Sequence, residues 1–200
     1  MPKVRIILAS LTLLLAAASA SAAANLVANG DFEASQPFVT SWTISSADIY
    51  TQRVDPDSSG SATRHSGLVY TDASTDTLGL LSQSLATLPG AKYTLEFDLY
   101  RLVTGGSLDN QAQIWFGATV VMDQSNVSAD WTHYSFSNLS AGGASTLLQF
   151  GLRSDGNSDY PALDNVSVVM TAVPEPSVAL MLAAGLVLIA RQRSKRPPPF

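Results

Sequence analysis

The chain contains no cysteine. Disulfide scaffolds, thiolate metal sites and cysteine nucleophiles are therefore excluded. Histidine is nearly as scarce, with only His65 and His133, which leaves little for imidazole metal centres or proton relays. Charge is low too, at 14% of 200 residues, and basic residues are few in the middle of the chain. Between Asn25 and Ala172 only Arg53, Arg64, Lys92, Arg101 and Arg153 stand against fifteen carboxylates, a formal charge of −10. A segment this acidic repels phosphate backbones, so nucleic acid is excluded as a partner. Divalent cations would be tolerated. No P-loop, dinucleotide-binding glycine pattern, HExxH or GxSxG motif occurs.

Two apolar runs stand at the ends. "MPKVRIILASLTLLLAAASASAAAN" has Lys3 and Arg5, then an apolar stretch from Ile6 to Ala18, then small residues offering several A-x-A cleavage sites. This is the pattern of a secretory signal peptide over residues 1–24, read by the Sec export machinery. The second run, Val178–Ala190, is thirteen residues without a charge. As a helix it spans about 20 Å, against a bilayer core of about 30 Å. It is apolar all round, unlike an amphipathic core helix. Pro174 and Pro176 detach it from what precedes. Arg191, Arg193, Lys195 and Arg196 follow it, and basic residues hold a segment end on the cytoplasmic side. One topology then places both basic ends inside and the acidic middle outside.

The order Val-Pro-Glu-Pro, short apolar stretch and arginine-rich end resembles the PEP-CTERM sorting signal of Gram-negative bacteria. The likeness covers Val173–Arg196, within a tail of residues 173–200, and departs from the family in the trailing "PPPF". It implies an exosortase-type protease as partner, with Pro174, Glu175 and Pro176 as the sorting motif. It also implies a destination at the cell envelope, outer surface or exopolysaccharide matrix, with transient membrane attachment through 178–190.

The middle, residues 25–172, alternates with period two. "KYTLEFDLY" puts Tyr93, Leu95, Phe97 and Leu99 on one face and Thr94, Glu96, Asp98 and Tyr100 on the other. "AQIWFGATVVM" reads as one strand with Ile114, Phe116, Ala118 and Val120 together, opposite Gln113, Trp115 and Gly117. Further strands are expected at Trp42–Ile49, Leu68–Thr71, Leu78–Ala86, Trp131–Leu139, Ser145–Ser154 and Ala162–Met170. Gly-, Pro-, Asn-, Asp- and Ser-rich turns separate them. About eight half-buried strands predict an all-β protein, an antiparallel β-sandwich.

"NLVANGDFE" at Asn25–Glu33, "LPGAKYTLEFDLY" at 88–100 and "LDNVSV" at Leu163–Val168 resemble elements of carbohydrate-binding-module-like jelly rolls of the galactose-binding type. That family implies a structural Ca²⁺ where the first and last strands meet. Carried over, its ligands would be Asp31, Glu33 and Asp164 with backbone oxygens near Asn29–Asp31. The plainer alternative is that Asp164 and Asn165 cap a turn and Glu33 is solvated.

Ring faces pack on the apolar faces of pyranoses, so outward aromatics on strands are candidate sugar contacts. Asp98 and Tyr100 share one strand face, and Gln113 and Trp115 share another. Were both strands in one sheet, these four would line one groove with Arg101 at its rim. The alternative is that Trp115 packs under a loop, tryptophan being a largely buried residue. Trp42 and Trp131 are assigned to the core or a sheet edge, and His133 to solvent. Glu96 and Asp98 share a face at about 7 Å along one strand, whereas hydrolytic carboxylate pairs flank a sugar across a cleft. The sequence therefore predicts an exported, non-catalytic binding module for polysaccharide. A structural matrix protein without small ligand, or a glycan-active hydrolase, are the alternatives.

Overall fold

A computed structural model describes residues 24–34, 39–45, 49–53, 67–71, 77–102, 109–154 and 159–171, and Ala183, Gly185, Leu186, Val187 and Ile189. The strands are β1 (Thr43–Ile44), β2 (Ile49–Arg53), β3 (Gly67–Thr71), β4 (Gly79–Ala86) and β5 (Lys92–Leu102), followed by β6 (Gln111–Phe116), β7 (Thr119–Ser125), β8 (Thr132–Ser140), β9 (Ser145–Arg153) and β10 (Tyr160–Met170). They form two five-stranded antiparallel sheets. One, the A sheet, has the order β2-β3-β10-β5-β8; the other, the B sheet, has the order β1-β4-β9-β6-β7. Neighbours within a sheet are mostly distant in sequence, as the connections of a jelly roll require.

The alternation expected of β5 holds. Tyr93, Leu95, Phe97 and Leu99 are buried between the sheets, and the intervening residues point outward. Phe97 sits at the centre. Its ring stacks near Tyr134 and Phe136 of β8 at centroid distances of 5.5 and 5.8 Å, and meets Phe150 of β9 edge-on at 5.3 Å. That last contact crosses from the A sheet to the B sheet. At the outer edge Tyr134 donates its hydroxyl hydrogen to Gln124 Oε1 of β7 at 2.9 Å, tying the two edge strands together.

Two expected strands are corrected. Trp42–Ile49 is not one strand: β1 joins the B sheet and β2 the A sheet, so the chain crosses between layers here. The run from Ala112 to Met122 is a hairpin. Gly117 takes φ 61°, the left-handed region that a two-residue turn uses, and β6 pairs back on β7. Ala118 and Val120, expected beside Ile114 and Phe116 in the core, are exposed as a result. Trp42 lies in the core as assigned, with Phe32 at 5.6 Å and Phe150 at 6.1 Å.

The signal peptide expected over 1–24 lies outside the described residues except Ala24. His65, Pro174, Glu175, Pro176, Arg191, Arg193, Lys195 and Arg196 also lie outside them. Within the expected 178–190 span the five described residues are helical, and Leu186, Val187 and Ile189 are exposed. Among the described residues no helix is long and apolar enough to cross a membrane.

Phe97→Ala should lower the free energy of unfolding by about 3–5 kcal/mol, the usual cost of deleting a buried aromatic ring. Denaturant melts should show the loss, while Val120→Ala on the surface stays within about 0.5 kcal/mol.

Candidate functional site

Trp115 faces outward because its neighbours cannot. Ile114 and Phe116 are both buried in the core, and a strand alternates sides at every residue. The indole is half-buried nonetheless, because it lies down on the sheet. Its path crosses β9 at Gly151, the residue paired with Gln113. A Cβ at position 151 would stand 2.9 Å from Trp115 Cζ3, 3.1 Å from Cη2 and 3.0 Å from Leu78 Cδ1. Glycine is what lets the ring rest flush against the backbone. The ring is packed from below by the sheet, with the Leu78 side chain meeting the same spot on Gly151.

Around the ring the B sheet presents amides and acids in register. One row runs Ser82, Gln149, Trp115, Val120, and the next runs Leu80, Gly151, Gln113, Asp123. Asp123 accepts hydrogen bonds from Gln111 Nε2 at 2.7 Å and Gln113 Nε2 at 2.9 Å. Both amide NH₂ groups are thereby turned toward β7. Arg153 grips Asp109 through Nη2 at 2.7 Å and Nη1 at 3.4 Å. That hydrogen bonding and the guanidinium charge hold the Asp109 carboxyl below the usual carboxylate range. Gln111, Asp109, Asp123, Gln149 and Arg153 were not among the residues expected from sequence. Asp123 was hidden by the missed hairpin, and the others carry no motif of their own.

The single groove expected from Asp98, Tyr100, Gln113 and Trp115 does not form. β5 belongs to the A sheet and β6 to the B sheet, so the two pairs face opposite sides of the sandwich. Arg101 is not at a rim either. It follows Tyr100 and so points the other way, into an ion pair with Asp159 at 3.7 Å, with its side chain 14% exposed.

On the A sheet, Tyr100 stacks on Trp131 with centroids 5.0 Å apart and planes 22° apart. Next along β5, Asp98 Oδ1 pairs with His133 Nδ1 at 2.7 Å, and Asp98 Oδ2 accepts from Asn165 Nδ2 at 2.9 Å. Glu96 then accepts from Ser135 Oγ at 3.1 Å. His133 is solvent-facing as expected, its side chain 59% exposed. Glu96 and Asp98 share one face of β5, and the Asp98 side chain is 14% exposed.

The first and last sequence motifs do meet. Asn25 bridges to Val169, Leu26 N–H donates to Val168 O at 2.8 Å, and Val166 N–H donates to Gly30 O at 2.8 Å. The fit at Gly30 leaves no room for a side chain, since a Cβ there would collide with the Val166 carbonyl. Gln83 clamps the same segment to β4, accepting from Ala28 N–H at 2.8 Å and donating to Ala28 O at 2.9 Å. At this seam β10 carries a bulge between Asp164 and Ser167, with Asn165 at φ 51°. A cleft of about 310 Å³ opens beside it, lined by Asn25, Asn29, Asp31, Asn165 and Ser167 among others.

Asp164 is 1% exposed. Burial pushes its carboxyl up to about 8; the Asn165 N–H opposes this, and the negative charges of Asp98, Glu33 and Asp31 add to it. These acids are close enough to act on Asp164. Among the described residues, however, no three acidic or imidazole side chains converge as a metal cage. A hard cation such as Ca²⁺ would need carbonyl or water oxygens to complete six to eight ligands. The donor chemistry suits it on that condition, since a buried carboxylate beside other acids is what a cation would relieve.

No protein-family model matches the chain, and no curated protein matches it. Solved structures do match in fold. TmCBM61 in complex with β-1,4-galactotriose superposes with a TM-score of 0.54 at 15% identity, over 74% of this chain and 99% of that one. The CBM22-1 xylan-binding domain of Paenibacillus barcinonensis Xyn10C gives 0.51 at 16% identity, over 78% and 99%. An arabinose-bound α-L-arabinofuranosidase, MgGH51, gives 0.50 at 14% identity, over 75% of this chain and only 27% of that enzyme. The fold is thus a two-sheet jelly roll shared with these structures.

The raised Asp164 pKa has a definite consequence for metal-free protein. A carboxyl whose folded pKa lies above its unfolded value stabilises the fold when protonated. Its contribution is full below about pH 4 and is lost as pH rises toward about 8. Melting midpoints should show this decline, and Asp164→Asn should flatten it.

Proposed function

We propose that the chain is an exported, non-catalytic binding module that holds polysaccharide on the outer face of the B sheet. Trp115 is the stacking platform. Gln111, Gln113, Gln149 and Asp123 are the hydrogen-bonding groups beside it. The observation that carries this reading is the Trp115 ring resting on Gly151. A flat, pre-positioned aromatic ringed by oriented polar groups offers a ligand large contact area with little side-chain ordering left to do. The acidic charge of the middle segment favours a neutral glycan over a polyanionic one.

Location follows from the ends of the sequence. The N-terminal segment directs export, and the PEP-CTERM-like tail hands the protein to an exosortase-type protease at the envelope. There the module meets exopolysaccharide. At the seam the Asp164 carboxylate, completed by backbone carbonyl and water oxygens, would hold a structural Ca²⁺, whose charge would offset that of the buried acid.

Trp115→Ala should weaken retardation of the protein in native gels cast with β-1,4-galactan or xylan at least tenfold, with its melting midpoint little changed. Gly151→Val, which lifts the ring off the sheet, should weaken retardation at least tenfold. Retardation by the panel that survives Trp115→Ala in full would remove the B-sheet site. Calcium at pH 8 should raise the melting midpoint of the parent chain by mass action and leave Asp164→Asn unmoved.

A further inference from the structure

We propose that the outer face of the A sheet is a second glycan-binding surface, so that one folded chain cross-links two polysaccharide strands. The inference rests on the B-sheet reading above and extends it to the opposite side of the molecule. Tyr100 and Trp131 form a two-ring ledge, stacked at 5.0 Å. From that ledge a ladder of polar pairs continues along β5 and β8. It comprises Asp98 with His133 at 2.7 Å and Glu96 with Ser135 at 3.1 Å, with Asn165 reaching in from β10 to Asp98 at 2.9 Å. Residues 96 to 100 span about 14 Å of strand, room for an oligosaccharide segment lying along it.

The chemistry is that of a sugar surface. Rings offer flat apolar area, the carboxylates accept from hydroxyl groups, and the imidazole and hydroxyl groups donate or accept. The cross-strand bonds hold the carboxylates in place before any ligand arrives. The two faces look in opposite directions across sheets packed about 10 Å apart. A glycan chain lying flat on one therefore cannot reach the other, and two sites on one chain must engage two strands or two distant stretches of one. Linked sites of this kind gain avidity and bridge their targets without any dimer contact.

The test uses the full chain, shown to be monomeric by light scattering, with beads coated in β-1,4-galactan or in xylan. The parent chain should both bind the beads and clump them. Trp115→Ala and Trp131→Ala should each still bind but no longer clump, and the double variant should not bind. Trp131→Phe, which keeps a ring on Tyr100, should restore clumping, and melting curves should show every variant folded. Binding without clumping, lost wholly in Trp115→Ala and untouched in Trp131→Ala, would overturn the second surface and leave the B-sheet site standing. Absence of binding by the parent chain to either coating would remove the B-sheet reading and this one with it.

Discussion

The arrangement depends on the period of a β-strand meeting a fully packed interior. Ile114 and Phe116 are exposed to 1% or less, so Trp115 between them has one direction available. The same rule on β5 buries Phe97 and Leu99 and turns Asp98 and Tyr100 outward. The Phe97–Phe150 contact locks the two sheets together, and with them the phase of both strands. A slip of one residue in either strand would bury an acid or an amide and expose a core ring. Core packing is therefore what decides which side chains a ligand can touch.

The N-terminal segment is the second constraint. It has almost no strand structure of its own, yet it is stitched to β10 through Asn25 and Gly30 and to β4 through Gln83. Gly30 fits against the Val166 carbonyl only because it lacks a side chain. This closeness draws Asp31 and Glu33 toward buried Asp164. Burial of Asp164 among these acids links folding to pH at this place. The seam is remote in sequence from the platform residues but shares a sandwich with them, so its loss would reach them through the core.

Much of this was legible in the residues. The alternation at 92–100 was strong enough to assign inner and outer faces correctly, and turn composition marked most strand ends. Period two, however, tells which side of a sheet a residue occupies and not which sheet it belongs to. Hence Asp98, Tyr100, Gln113 and Trp115 looked like one set and are two. The β6–β7 hairpin hid behind a single glycine between two apolar runs. Trp131 was assignable to an edge, but its partner Tyr100 is set by cross-strand register that no local pattern encodes. The opposite error befell Arg101, a long charged side chain that was expected at a rim and is drawn into an ion pair with Asp159.

The most direct test of the account follows the tryptophan indole N–H resonances while β-1,4-galactotriose and xylo-oligosaccharides are titrated in. Trp115, on the B sheet, should shift in a saturable way, and Trp42, in the core, should stay still. Saturable binding that leaves the Trp115 indole unmoved would contradict the account.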